Sequence, residues 1–369
     1  MTDFRSRKIA NDADMYNIPV SDLWVLAEQD VASAQYALGV IYDIGTALAQ
    51  DSGEAFKWFL KAATKGHAGG QHSLGAMLYE GRAVVRDYEE AAEWIHRAAS
   101  QGDALAQFNL AIMYFNGHGV SLDKQRAVEW YLKAAELGQA NAQHNLALAY
   151  HFGDGVASNH SKAEVWFRKA AEQGISDAQY NLGFMYRNGD FVPQNHKKAM
   201  YWYCKAAEQG HAKAQFNLSL MYSNGEGIPK NYDEAVNWCS QAADQGEAGA
   251  QHNLALNYCN GHGVPQDYET AVYWFRLAAE QGLASAQADL GVMYEIGLGV
   301  ERNVVLSHMW SNISGSNGSN MGAGNRDRLE KEMASFQVAE AQKYASELVK
   351  NGYVRSGHRA QSVVPRTQP

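Results

Sequence analysis

Residues 103–138 read DALAQFNLAIMYFNGHGVSLDKQRAVEWYLKAAELG, and this stretch decides the fold. Its first part places Ala106, Leu110 and Tyr114 at i, i+4 and i+8, which is one face of an α-helix. Gly117 then predicts the end of that helix, because glycine readily takes the left-handed conformation that closes a helix. The stretch therefore opens with a single helix.

The second part of the stretch predicts another helix. Asp123 is placed to be its N-cap, since a short carboxylate side chain accepts hydrogen bonds from the free backbone N–H groups of the first turn. Ala127, Trp130 and Ala134 follow at i, i+3 and i+7, and Gly138 predicts the end of the helix. The sequence nowhere alternates apolar and polar residues as a strand does, so the predicted fold class is all-α.

The same pattern returns every 36 residues along the chain. The tryptophans that hold this period are Trp58, Trp94, Trp130, Trp166, Trp202, Trp238, Trp274 and Trp310. The glutamines that hold it are Gln35, Gln71, Gln107, Gln143, Gln179, Gln215, Gln251 and Gln287. A fixed period of this length indicates a solenoid of stacked helix pairs, and eight such units run over residues 31–318.

The shared pattern is Ala-Gln-x-Asn-Leu-x-x-x-Tyr, then Asn-Gly-x-Gly-Val, then Ala-x-x-Trp-x-x-x-Ala-Ala-x-x-Gly. This pattern resembles the Sel1-like repeat family, which is related to the tetratricopeptide repeat. The resemblance implies a right-handed α/α superhelix in which the first helix of each unit lines a concave face. It also implies an adaptor that holds partner proteins in that groove. Bacterial members of the family are often linked to signalling, envelope stress or host interaction.

The two ends of the chain depart from the period and are expected to be caps, because terminal units of a solenoid must present a polar outer face. A loop rich in Gly, Ser and Asn is expected at residues 314–320, followed by one helix over 326–349. The expected organisation is an N-terminal segment with a capping helix over 1–30, eight repeats over 31–318, a C-terminal capping helix within 319–349 and a disordered basic tail over 350–369.

Composition excludes several classes of function. The 369 residues carry a net charge of −9 with 19% charged residues, which argues against nucleic acid because phosphate binding needs a clustered basic surface. No apolar run is long enough for a transmembrane helix, and residues 1–18 lack the apolar core of a secretory signal. Three cysteines in a chain of this size are typical of a reducing compartment. We therefore predict a cytoplasmic, bacterial protein without nucleic-acid binding or membrane insertion.

Residues repeated in every unit are interpreted as packing positions. The tryptophan ladder is therefore predicted to be core, and Trp130→Ala is expected to cost about 3–5 kcal/mol. A second ladder consists of the asparagines Asn109, Asn145, Asn181, Asn217 and Asn253. Two interpretations of this ladder are open. The amides join adjacent units by hydrogen bonds, since a buried amide must be satisfied, or they clamp the backbone of a bound peptide.

Function is expected where residues of the first helices differ from unit to unit. Two such positions lie seven residues apart, and a third, which includes Phe184, lies between them. The middle of the groove is predicted to be rich in aromatic and imidazole side chains, with Arg187 as a central cation that would hold a partner carboxylate. Because aromatics and arginine dominate interface hot spots, these positions are predicted to bind protein. The predicted groove residues are Tyr79, Phe108, Phe115, His144, His151, Tyr180, Phe184, Arg187 and Phe216. The alternative is that this row simply packs between neighbouring first helices.

Metal binding and catalysis are not expected. His144 and His151 lie seven residues apart on one helix, about 10 Å along its axis, which is too far for one zinc ion. Cys259 follows His252 at the same distance, so no thiolate–imidazole pair forms. The Gly-x-Gly loops follow helices and no strand, which excludes the nucleotide-binding interpretation. The sequence therefore predicts no metal, no cofactor and no catalytic residue.

The sequence favours a scaffold or adaptor that binds a peptide or a helix of a partner protein in the concave groove. We expect a role in bacterial signalling or in a host or stress response. One alternative is a hydrolase of the β-lactamase-like repeat type, which is disfavoured because the paired cysteines of such repeats are missing. A self-associating structural scaffold is the other alternative, and the sequence leaves self-association open.

Overall fold

The computed structural model describes residues 18–350, and every regular element in this part of the chain is an α-helix. The helices are numbered in chain order: α1 Val20–Glu28, α2 Ala32–Ile44, α3 Ser52–Thr64, α4 Ala68–Glu80, α5 Tyr88–Ser100, α6 Ala104–Asn116, α7 Lys124–Glu136, α8 Ala140–Phe152, α9 His160–Glu172, α10 Ser176–Asn188, α11 His196–Glu208, α12 Ala212–Asn224, α13 Tyr232–Asp244, α14 Ala248–Asn260, α15 Tyr268–Glu280, α16 Ala284–Ile296, α17 Val304–Ser316, α18 Asn320–Glu332 and α19 Ser335–Lys350. The predicted all-α class is confirmed.

Helices α2 to α17 form eight pairs that hold the 36-residue period. The even-numbered members are called first helices below, and the odd-numbered members second helices. Helix α5, for example, packs against α4, the first helix of its own pair, and against α6, the first helix of the next pair. The predicted chain of stacked helix pairs is therefore present.

The described residues fall into two compact units that divide between Ala178 and Gln179. The N-terminal unit (residues 18–178) contains α1 to α9 and the start of α10. The C-terminal unit (residues 179–350) contains the rest of α10 and α11 to α19. Each unit has its own buried core of helix-pair contacts.

Local sequence chemistry sets the ends of the helices as predicted. Every second helix of the eight pairs begins after an Asp or Asn whose side chain accepts a backbone N–H of the first turn. Asp123, for example, accepts the N–H of Arg126 at 2.9 Å. First helix α6 ends at Gly117, whose φ of 71° is the left-handed conformation that closes a helix.

Small residues on the first helices allow the second helices to approach closely. A Cβ added to Gly75 would lie 2.6 Å from Cγ1 of Ile95, and one added to Gly183 would lie 2.7 Å from Cδ1 of Tyr203. Both partners are buried residues of second helices. The core therefore consists of large side chains from second helices seated on small residues of first helices.

The tryptophan ladder is less buried than predicted. Trp58 and Trp310 are buried, but the six tryptophans between them are only half-buried. The buried position is the following residue, held by Phe59, Ile95, Tyr131, Phe167, Tyr203, Cys239, Phe275 and Ser311. A Lys or Arg three residues after the tryptophan lies over the ring in four repeats, for example Lys133 at 3.8 Å from the centroid of Trp130. For the interior repeats, the prediction of a core position was wrong by one residue.

The glutamine ladder forms the buried polar connection between repeats. The Nε2 of Gln71 donates to the carbonyl of Ala63 at 3.2 Å, and its Oε1 accepts Nε2 of Gln101 at 2.7 Å. The same pair of bonds recurs at Gln143, Gln215, Gln251 and Gln287. Each of these five glutamines thus ties a first helix to the second helices on both of its sides, which explains why glutamine is favoured at this position.

The C-terminal part differs from the expected single helix. Helix α17 extends to Ser316, so the first three residues of the expected loop are helical, and two helices, α18 and α19, follow it. Ala341 and Leu348 of α19 pack into the core cluster that contains Trp310, so this tryptophan is covered. The expected N-terminal segment before residue 18 and the tail after residue 350 lie outside the described residues.

Candidate functional site

The predicted groove residues lie on the first helices and are all partly exposed. In the N-terminal unit, Tyr79 belongs to α4, Phe108 and Phe115 to α6, and His144 and His151 to α8. Phe152, the last residue of α8, was not predicted, although 69% of its surface is exposed. These side chains form a partly exposed surface of aromatic and imidazole rings.

Tyr79 is held by the loop of the next repeat. Its hydroxyl lies 2.7 Å from Nδ1 of His118, and the His118 ring stacks on Tyr88 with the centroids 4.9 Å apart. Burial raises the pKa of the Tyr79 hydroxyl, so it stays protonated at neutral pH. The tyrosine ring therefore has a fixed position at the surface.

His72 and Asn109 join α4 to α6. Nδ2 of Asn109 lies 2.8 Å from Nε2 of His72, and because the amide nitrogen donates, this imidazole nitrogen accepts. Burial lowers the pKa of His72, while the carboxylate of Asp103 acts in the opposite direction. The imidazole is therefore neutral at pH 7 and serves as an acceptor.

The next two repeats of the N-terminal unit show the same mixture of packing and exposure. Nζ of Lys124 lies 5.1 Å from the centroid of Phe115 and binds Asp154 at 2.6 Å. The ring of His144 lies 5.7 Å from that of Phe167, and burial lowers the pKa of His144. An aromatic ring thus lies beside a charged group at the first site and beside an imidazole of lowered pKa at the second.

In the C-terminal unit, Arg187 already has a carboxylate partner. Its Nε and Nη2 donate to the two oxygens of Glu226 at 2.7 and 2.9 Å, and its Nη1 donates to Oδ1 of Asn217 at 2.7 Å. The guanidinium lowers the pKa of Glu226, which keeps this carboxylate charged. The sequence predicts that Arg187 binds a carboxylate of a partner protein, but its guanidinium already binds a carboxylate of the same chain, in the following repeat.

The remaining predicted residues lie on α10 and α12. Tyr180 stacks on His211 with the centroids 4.8 Å apart, and Phe184 is 42% exposed. Phe216 packs against Gly249, where an added Cβ would lie 2.8 Å from its Cε1. Phe184 is thus more exposed than the other eight predicted residues.

A spacing of 39 residues carries a signal that the sequence analysis missed. Asp43 binds Arg82 at 2.6 Å, in the same geometry as Tyr79 with His118 and Arg187 with Glu226. Each pair joins the end of a first helix to the loop of the next repeat. The charges are reversed between Asp43–Arg82 and Arg187–Glu226, and this exchange is visible in the sequence once the spacing is known.

The asparagine ladder makes contacts between neighbouring repeats. Asn109 bonds His72, Asn145 donates to the Tyr131 hydroxyl at 3.2 Å, and Asn217 accepts from Arg187. These bonds favour the interpretation that the amides join adjacent units.

Two further properties bear on function. Across residues 18–350, no group of three or more His, Cys, Asp or Glu side chains is placed to hold a metal ion. The same part of the chain contains no helix with the length and apolar character needed to cross a bilayer.

Comparison with known proteins adds the family. The Sel1 repeat model matches eight consecutive segments, residues 32–67, 68–103, 104–139, 140–175, 176–211, 212–247, 248–283 and 284–319. Among solved structures, c5321, described as a protective antigen of uropathogenic Escherichia coli with an SLR fold, is 34% identical with a TM-score of 0.61, over 90% of this chain and 79% of that one. A Sel1 repeat protein from Oxalobacter formigenes is 31% identical with a TM-score of 0.63, over 86% of this chain and 93% of that one. No curated protein matches the sequence.

Proposed function

The chain belongs to the Sel1 repeat family, and from this premise we propose that it binds a segment of a partner protein on the exposed face of its first helices. Sel1-type repeats are generally interaction scaffolds and not enzymes. The proposal places the chain in this class as an adaptor of bacterial signalling or of a host or stress response, acting in the cytoplasm. The partner segment is an extended peptide or a single helix.

The contrast between two kinds of position on the first helices carries the proposal. Positions of the first helices that are copied in every repeat, such as those held by Gln107 and Leu110, are buried. Positions that differ between repeats, such as the one held by Phe115 in one repeat and His151 in the next, keep exposed surface. A stacking contact alone would favour one well-packing residue in every repeat, whereas recognition of an irregular partner requires different residues along the row.

The nine residues of the row contribute in two ways. Phe115, Phe184 and His151 offer ring surface to a partner, since interface hot spots are rich in aromatic side chains. Arg187 acts mainly through Glu226, because its guanidinium is already paired and holds that carboxylate at the surface. The proposal therefore assigns direct contact to the rings and a supporting role to the arginine.

Affinity capture with matched variants tests this proposal. The protein is immobilised and exposed to a lysate of its source cells, and captured proteins are compared between wild type and Phe115→Ala/Phe184→Ala. The control is Tyr201→Ala/Tyr273→Ala, which removes two aromatic rings that are 55% and 56% exposed on second helices. Circular dichroism verifies that both variants keep their helicity.

The proposal predicts that the first-helix variant loses specific partners that the control retains. Equal capture by both variants, or loss only in the second-helix control, would contradict binding on the first helices.

A further inference from the structure

A cavity of about 150 Å³ lies in the N-terminal unit between first helices α4 and α6. It is lined by Ala76, Tyr79, Glu80, Ile95, Asn109, Ile112 and Met113. Ile95 and Met113 are buried and form its floor, whereas Ala76 and Tyr79 are partly exposed and form its rim. The cavity therefore reaches from the row of variable residues down to the core.

Ala76 has the smallest side chain at its position in the eight repeats. The equivalent positions in the other repeats hold Val40, Ile112, Leu148, Phe184, Leu220, Leu256 and Val292, so this repeat alone has a methyl group there. A small side chain in a packed interface leaves a void that its neighbours do not close fully. The missing volume lies on the face to which the proposed function assigns the partner.

The walls of the cavity are fixed by hydrogen bonds. The Tyr79 hydroxyl is held at 2.7 Å from His118, and the Asn109 amide at 2.8 Å from His72. Side chains that are positioned before binding lose little entropy when a ligand enters. The cavity is thus preformed, and a ligand can enter it without rearrangement of Tyr79 or Asn109.

The size and charge of the cavity define what it accepts. An apolar cavity of roughly 150 Å³ takes up one benzene-sized group, which corresponds to a Leu, Ile or Phe side chain. Glu80 is the one charged residue in its lining. Its Oε2 accepts Nε of Arg82 at 2.6 Å, and its side chain is 53% exposed, which leaves the carboxylate accessible at the rim.

We propose that this cavity is the anchor pocket for one aliphatic or aromatic side chain of an extended partner peptide, with a neighbouring Lys or Arg of the peptide paired to Glu80. The inference rests on the proposed function, because it assigns one contact of that interface. The net charge of −9 also favours a basic partner. The apolar group supplies affinity by displacing water, and the basic group sets its orientation.

Peptide selection against the whole protein tests the pocket. A phage-displayed library of random linear peptides is selected on wild type, and the enriched peptides are synthesised and their affinities measured for wild type and Ala76→Ile. Isoleucine fills the cavity with a side chain that the chain itself uses at the equivalent Ile112, so the fold tolerates it. The control is Val292→Ile, which adds a methylene at the same position in the C-terminal unit.

The inference predicts enriched peptides with a Leu, Ile or Phe beside a Lys or Arg, and an affinity lowered about tenfold or more by Ala76→Ile but unchanged by Val292→Ile. Glu80→Gln should lower the affinity by a smaller factor, and the loss should shrink at high salt. The NMR resonance of a ¹³C-labelled methyl group of Met113 should change its chemical shift when the peptide is added, whereas that of Met221 in the other unit should not.

Three results overturn the inference. In the first, peptides bind Ala76→Ile as tightly as wild type but lose binding to Phe115→Ala. This result would agree with the proposed function and would contradict the cavity as the anchor pocket. Peptides that are indifferent to both substitutions would contradict the pocket and the first-helix face together. A selection without any enriched peptide would also contradict the pocket, while the capture experiment would still decide the proposed function.

Discussion

At the scale of single residues, the periodic positions divide into buried and half-buried ones, and the sequence does not distinguish them. Trp166 and Phe167 are neighbours that both belong to the repeating pattern, yet Phe167 is buried and Trp166 is half-buried beneath Lys169. Periodicity shows that a position has the same surroundings in each repeat. It does not show how deep those surroundings are, because that depends on the rotation of each helix in the stack.

Phe167→Ala is therefore expected to destabilise the protein more than Trp166→Ala. Truncation of a buried Phe leaves a cavity and costs about 3–5 kcal/mol, whereas a half-buried Trp loses roughly half of that. Urea denaturation followed by circular dichroism measures both. A larger loss for Trp166→Ala would show that the core is centred on the tryptophan after all.

At Leu137, one side chain that would donate to the glutamine ladder is missing. Leu137 occupies the position of Gln101 and Gln173, and as a result Oε1 of Gln107 is buried without a hydrogen-bond partner among the described residues. A buried acceptor without a partner is costly, so Leu137→Gln is expected to raise the free energy of unfolding by about 1 kcal/mol. The control Leu137→Ser removes the same exposed leucine, but the serine side chain is too short to reach Gln107. Equal stability of the two variants would argue against the ladder as a source of stability.

The neutral histidines predict a pH dependence. Burial lowers the pKa of His72 and His144 in the folded protein below their ordinary value of 6.5, against the weaker effect of Asp103 and Asp177. The unfolded chain therefore takes up protons first as the pH falls below 6.5, and stability decreases from that pH downward.

The His72→Phe/His144→Phe variant tests this assignment, since Phe108 and Phe216 occupy equivalent positions. Urea midpoints at pH 7.5 and pH 5.5 should differ less in the variant than in wild type. An identical difference in both proteins would assign the pH dependence to other groups.

At the scale of elements, caps and glycines made the helix bounds predictable, whereas contacts between elements were not. The N-cap at Asp123 and the stop at Gly117 are local signals that need no neighbour. The pairs Tyr79–His118 and Arg187–Glu226 join different repeats, and their chemistry changes from one repeat to the next. A changing pair leaves no periodic trace, so the sequence analysis predicted the row of residues but missed its partners in the following loop.

In seven of the eight repeats, the loop after the first helix carries a second positive-φ position. Gly119, Gly155 and Gly227 hold it with φ between 68° and 76°, but Ala83 occupies it with φ 62°. An alanine in the left-handed region costs roughly 1–2 kcal/mol relative to glycine. We expect Ala83→Gly to stabilise the protein by about 1 kcal/mol in thermal unfolding, although a glycine usually destabilises. A control inside a helix, Ala339→Gly at an exposed position of α19, should lower stability by a similar amount.

At the scale of the whole molecule, the periodicity made the fold class and the number of repeats predictable. The C-terminal residues do not follow the period, so their structure was harder to predict. Residues 320–350 have no counterpart within the chain, so self-comparison could not reveal the break between α18 and α19. The cavity beside Ala76 was signalled by one small residue in a row of larger ones. Its volume and its walls follow from how α4, α5 and α6 pack, and these are properties of the folded chain.

The central claim is that copied residues hold the repeats together and differing residues on the first helices bind a partner protein. Hydrogen–deuterium exchange of the protein with and without a partner obtained by capture tests it most directly. The account predicts that bound partner slows exchange in first helices such as α4, α6 and α8 and leaves the second helices α5 and α7 unchanged. Slower exchange confined to second helices would contradict it.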